Sequence, residues 1–201
     1  MLVAAKGTSP EVTAAKALES VHEDYDSIKP VQLNFPQAVA AFDNQLLDVG
    51  TLAEPFATQG IQAGTIKQIA TTDELYPNQE IAVLMYGENF ISRRGEEAQR
   101  FMNAYVAALR FYNRALANGH LTGETSDEVI RILSKHTPLK DPKLWRKITA
   151  QATDPNGRLD MPSLQYSLDF WRAQGYIDHD VPLADVVDTR FVERAVKELS
   201  G

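Results

Sequence analysis

Few residues of this 201-residue chain could do chemistry, and those few are small or acidic. Gly7, Thr8 and Ser9 make a turn between an apolar run and a helix start, Asn34 follows the short stretch "VQL", and Glu54 stands directly before Pro55 in "LDVGTLAEPFATQG". In open α/β sheets ligands bind outside the carboxyl ends of strands, where helix N-termini offer free N–H groups and partial positive charge. The Gly7–Ser9 turn suits an anionic head group on that ground. Each position has a structural reading as well. Ser9 is a helix cap with Pro10 at the first helical position, where the missing N–H costs nothing, and Asn34 is a preferred cap residue. Pro55 holds Glu54 extended, and a carboxylate beside a helix N-terminus gains about 0.3–1 kcal/mol. A solitary acid does not specify chemistry, so the residues alone leave cap and ligand contact both open.

Catalytic and metal chemistry find no footing. The chain has no cysteine, which removes disulfides, thiolate ligands and cysteine nucleophiles without assigning a compartment. His22, His120, His136 and His179 lie far apart, and none has the H-E-x-x-H spacing of a zinc site. In "DPNGRLDMPSLQ" the residues Asp154, Asn156, Arg158 and Asp160 alternate as in a calcium loop. Arg158 and Gln165 occupy positions that need oxygen ligands and a glutamate, so the stretch is expected to be a turn that caps the next helix. The G-x-S-x-G, G-x-G-x-x-G and G-x-x-x-x-G-K-[ST] patterns are absent from the sequence. No catalytic residue, no metal and no cofactor is expected. The formal net charge of -7 argues against a nucleic-acid partner, which needs a basic face. No apolar run approaches the roughly 20 residues that span a bilayer. The opening "MLVAAKGTSP" lacks the order of a signal peptide, because its lysine follows the apolar residues.

The elements that would position the small residues alternate. Met1 to Ala5 is an apolar run fit for a buried strand and leads through Gly7–Ser9 into a helix. Val31 to Leu33 is extended, and Val39, Phe42, Leu46 and Leu47 share the face of the helix that follows. "VGTLA" is strand-like, "EPFATQGIQAG" is a short helix ending at Gly60 or Gly64, and "TIKQIAT" and "IAVLMYG" are further strands around a polar link, "TTDELYPNQE". Strands alternating with helices imply crossovers and a largely parallel sheet. From Glu96 to Leu116 the apolar residues recur at helical spacing until Asn118-Gly119 stops them. Helices are expected in "TSDEVIRILSKHT", "DPKLWRKITAQ", "MPSLQYSLDFWRAQG" and "DTRFVERAVKELS". Phe101, Tyr105, Tyr112, Trp145 and Trp171 are read as packing residues.

In this order the features resemble the solute-binding proteins of ABC importers for nitrate, sulfonates, taurine and thiamine-pyrimidine precursors, the SsuA and NMT1-like group. The resemblance is carried by "LNFPQAVAAFDNQLLDVGTLAEPFATQG", "ENFISRRGEEAQRFMNAYVAALRFYNRAL" and "DPNGRLDMPSLQYSLDFWRAQGYID" with "VDTRFVERAVKEL". It implies an α/β fold of the periplasmic-binding-protein type II kind. Residues 1–78 would be one nearly complete lobe, and residues 79–201 the returning strand and helices of the other lobe, whose N-terminal part has no counterpart. It also implies that Gly7, Thr8, Ser9, Asn34 and Glu54 face the ligand, with Glu54 accepting from amino or ring N–H donors. The implied function is binding without bond chemistry: capture of a small organic or inorganic anion for an ABC permease, in the periplasm or anchored outside the cytoplasmic membrane. Two alternatives accompany it. One is a truncated relative without ligand that pairs with a second copy as a homodimer, and the other is a pyrimidine-precursor enzyme of the same fold.

Overall fold

Short β-favouring runs alternate with capped helices at the start of the chain, and the backbone follows them. A computed structural model describes residues 2–3, 6–179 and 181–200. Strands β1 (Leu2–Val3), β2 (Pro30–Val31) and β3 (Val49–Gly50) form a parallel sheet in the order β2-β1-β3. Leu2 lies opposite Pro30 and Val49, and Val3 opposite Val31 and Gly50. The expected strand from Met1 to Ala5 is therefore seen at Leu2 and Val3, and Met1, Ala4 and Ala5 lie outside the described residues.

The connecting helices are α1 (Ser9–Glu19), α2 (Phe35–Asp43) and α3 (Phe56–Gln62). Thr8, extended at φ -126 and ψ 163, holds the cap position of α1 that the sequence suggests for Ser9. Ser9 is the first residue of the helix, and its hydroxyl donates to the Ile81 carbonyl at 2.5 Å instead of capping. Helix α2 stops at Asp43, earlier than its apolar spacing suggests, and Gln45 turns left-handed at φ 57. Leu46 is consequently 63% exposed, while Leu47 packs with Ala38, Ala41, Phe42, Val31, Leu33 and Leu52. The polar link contains a one-turn helix, α4 (Thr72–Leu75), closed by a capping box between Thr71 and Glu74. "TIKQIAT" and "IAVLMYG" form no strand: they have no ladder partner among the described residues, and a strand exists only through its neighbour. Ile69 and Met85 are 81% and 83% exposed as a result.

Helices dominate the remainder: α5 (Glu88–Arg93), α6 (Gly95–Ala115), α7 (Ser126–His136), α8 (Pro142–Trp145), α9 (Met161–Ala173), α10 (Leu183–Val186) and α11 (Arg190–Glu198). Between α6 and α7 the chain makes an antiparallel hairpin, β4 (Leu116–Ala117) and β5 (His120–Leu121). Its two turn residues, Asn118 at φ 51 and Gly119 at φ 75, have the positive angles of the tight turn that Asn-Gly favours. Asp154 accepts the N–H groups of Asn156 and Arg158, and Asp160 caps α9 through the Ser163 N–H at 2.8 Å, as expected for a turn rather than a calcium loop.

Two compact units result. The first runs through Ala82 and takes up the chain again from Asp160, so α9 packs within it. Tyr25 and Phe170 meet edge to face at 5.3 Å, the Tyr166 hydroxyl donates to the Glu19 carboxylate, and the Ser163 hydroxyl accepts the Glu80 N–H at 2.8 Å. The second unit is centred on Ala115, Leu121, Val129, Ile130 and Ala150, with Tyr112 and Trp145 packed against them. Within it α11 lies along α6, where the buried Gln99 amide donates to the Phe191 carbonyl at 2.9 Å. Phe101 and Tyr105 are 53% and 38% exposed on α6, and Phe101 packs through one edge-to-face contact, with Tyr86 at 6.3 Å. Among the described residues no helix is long and apolar enough to cross a membrane.

Candidate functional site

Because β1, β2 and β3 run parallel, the loops that follow them leave the sheet at one edge. Gly7–Ser9 follows β1, Asn34 follows β2 and Glu54 follows β3. Side-chain contacts tie the three loops together. The Thr51 hydroxyl donates to the Pro10 carbonyl at 3.3 Å, joining the β3 loop to the start of α1. Phe35 and Phe56, the first residues of α2 and α3, stack with centroids 5.8 Å apart and planes 29° from parallel.

Each predicted site residue also serves the backbone. Gly7 has φ +71, a left-handed angle that glycine adopts without penalty, and its N–H donates to Glu11 Oε2 at 2.6 Å. The Thr8 carbonyl accepts the N–H of Glu11 at 3.0 Å. The donors expected to meet an anion at Gly7 and Ser9 are thus directed to Glu11 and Ile81. Asn34 Oδ1 accepts the Gln37 N–H at 2.9 Å, while Gln37 Oε1 accepts the Asn34 N–H at 3.2 Å. Asn34→Ala should therefore cost about 1 kcal/mol, measurable as a lower urea midpoint at unchanged slope. Glu54 Oε2 accepts the Thr58 N–H at 3.1 Å and Oε1 its hydroxyl at 2.9 Å, so the carboxylate serves the first turn of α3 from the residue before the cap position, which Pro55 holds.

One residue central to this edge has no local signature. Glu11, visible in the sequence only as a first-turn acid, is 1% exposed. Its Oε1 accepts the hydroxyls of Tyr25 at 2.8 Å and Tyr176 at 2.9 Å, while Oε2 holds Gly7. The carboxylate therefore joins the β1 turn, the segment after α1 and the segment after α9. Burial first, and then the bond to Glu11, raises the Tyr25 phenol far above its ordinary value and pushes Tyr176 up to about 12. A phenol whose folded pKa lies above its unfolded value of about 10 holds its proton more tightly in the native state. That contribution to stability is complete below about pH 10 and is lost as pH rises through about 12. Urea unfolding at stepped alkaline pH should show this fall, and Tyr25→Phe with Tyr176→Phe should flatten it.

No group of His, Cys, Asp and Glu among the described residues could hold a metal ion. The model of the NMT1-like family matches residues 2–125, more than half of the chain and all five candidate residues. The chain belongs to the NMT1-like family. No curated protein and no solved structure matches it significantly. Membership in the NMT1-like family goes with a periplasmic-binding-protein fold and with solute binding or a related function. The mostly helical α/β chain described here, with its small parallel sheet, is compatible with that fold.

Proposed function

We propose that this NMT1-like chain is a non-enzymatic solute-binding protein that captures a small organic or inorganic anion of the sulfonate, nitrate, taurine or pyrimidine-precursor class. The bound form delivers its ligand to an ABC permease, outside the cytoplasmic membrane. The observation that carries the reading is the convergence of the loops holding Gly7–Ser9, Asn34 and Glu54 at the carboxyl edge of one parallel sheet, in a chain of this family. Gly7, Thr8 and Ser9 shape the wall, Asn34 presents its amide beside it, and Glu54 accepts from the amino or ring N–H groups of ligands that have them. Residues 1–78 supply the ligand-facing lobe, and the hairpin-bearing helical unit corresponds to the returning part of the other lobe. Binding of this kind needs no bond chemistry.

A thermal-shift panel of nitrate, bicarbonate, alkanesulfonates, taurine, aromatic carboxylates and pyrimidines tests this reading. A ligand at 100 times its dissociation constant adds about 2.7 kcal/mol of stability. A selective rise in melting temperature supports solute binding, and a flat response across the panel overturns it. One observation favours a second reading, self-association: Val83, Leu84, Met85, Phe101 and Tyr105 are large apolar side chains left exposed. Sedimentation velocity decides it, because a concentration-independent monomer would exclude pairing with a second copy.

A further inference from the structure

With the Gly7 and Ser9 donors engaged by Glu11 and Ile81, the charge that remains on the β1 turn is that of Lys6. Its side chain is exposed, and it makes no ion pair with another described residue. Its Nζ lies 4.3 Å from the centroid of the Tyr176 ring. Tyr176 follows Gly175, whose φ of +69 turns the chain sharply after α9. The Tyr176 hydroxyl is anchored at 2.9 Å on Glu11, the buried carboxylate that also fixes the Gly7 N–H at 2.6 Å. One carboxylate therefore orients both the turn that carries Lys6 and the ring over which its ammonium rests. An unanchored lysine has four rotatable bonds to immobilise on binding, and a ring face that attracts the cation removes part of that cost.

We propose that Lys6 is the counter-ion for the ligand's acid group, and that Tyr176, held by Glu11, is a positioning residue that keeps Lys6 poised at the sheet edge. This deepens the solute-binding reading and rests on it. An ammonium is a compact point charge without the planar fork of a guanidinium. The corner therefore takes sulfonate and carboxylate head groups alike, and discrimination among ligands falls to Asn34 and Glu54.

Isothermal titration with taurine, butane-1-sulfonate and butyrate, on the full chain at two salt concentrations, provides the test. Wild-type protein is expected to bind at least one of the three, more weakly at high salt. Lys6→Gln should weaken that ligand about tenfold to a hundredfold and flatten its salt dependence, while the melting temperature stays put because Lys6 is exposed. Lys6→Arg should recover most of the affinity. Tyr176→Leu, which removes the ring, should weaken binding more than Tyr176→Phe, which keeps the ring and loses only its anchor. Wild-type affinity in Lys6→Gln overturns the counter-ion role and leaves the solute-binding reading standing. Equal affinities in the two Tyr176 variants and wild type overturn the positioning role. Absence of binding by wild-type protein to all three anions overturns the proposal, and the wider ligand panel then decides whether the solute-binding reading falls with it.

Discussion

Glu11→Ala should destabilise the protein by about 3–5 kcal/mol, the largest single-residue effect expected in this chain. The substitution leaves two half-buried phenolic hydroxyls and the Gly7 N–H without the acceptor they share, a carboxylate that is itself 1% exposed. Leaving one such donor unsatisfied costs about 1–3 kcal/mol, and the losses here are coupled through one side chain. Glu11→Gln separates charge from shape. Its single oxygen can serve the tyrosines or Gly7 but not both, and the amide nitrogen would then face a donor. About half the loss of Glu11→Ala is expected. Urea unfolding followed by circular dichroism measures both variants, and a loss below about 1 kcal/mol for Glu11→Ala would contradict the network.

Gly123→Ala should cost about 3 kcal/mol by a different mechanism. A Cβ at this position would lie 2.4 Å from the Arg114 carbonyl oxygen and 2.9 Å from the Ala115 carbonyl carbon. Both are backbone atoms at the end of α6, so no side-chain rotation relieves the clash. The same glycine donates its N–H to the Ala115 carbonyl at 2.8 Å, which holds the segment after the hairpin against the helix end. Moving the loop away would break that bond. Gly60 offers the contrast: its added Cβ would meet Ile66 Cδ1 at 2.8 Å, the far end of a flexible side chain. Gly60→Ala should therefore cost well under Gly123→Ala when their urea midpoints are compared.

The clearest local signals are those that act within one helical turn. Asn34 with Gln37 and Asp160 with Ser163 are caps whose partners lie three residues on, and both form. The α6 pattern marks a helix from Glu96 to Leu116, and the observed helix is Gly95–Ala115. Asn118-Gly119 carries the hairpin signal as plainly as the helix-stop signal; spacing alone does not say that the residues flanking it will pair. The apolar stretches at "TIKQIAT" and "IAVLMYG" show the reverse error. Their composition suits strands, but ladder bonds come from a neighbouring chain segment, and the sheet here offers them none.

The sequence by itself determined the alternation of short strands and helices at the start of the chain, the turn residues at Gly7–Ser9, Asn34 and Glu54, and the lack of cysteine. Each depends on interactions spanning a few residues, or on composition. Only the tertiary structure decided where the donors of those turns point. Ser9 reaches a carbonyl 72 residues away, and Glu11 takes hydroxyls from residues 14 and 165 positions along the chain. A buried polar group must find its partner wherever the fold brings one. That partner is specified by the packing of α1, α9 and the sheet edge together, and by no spacing in the sequence.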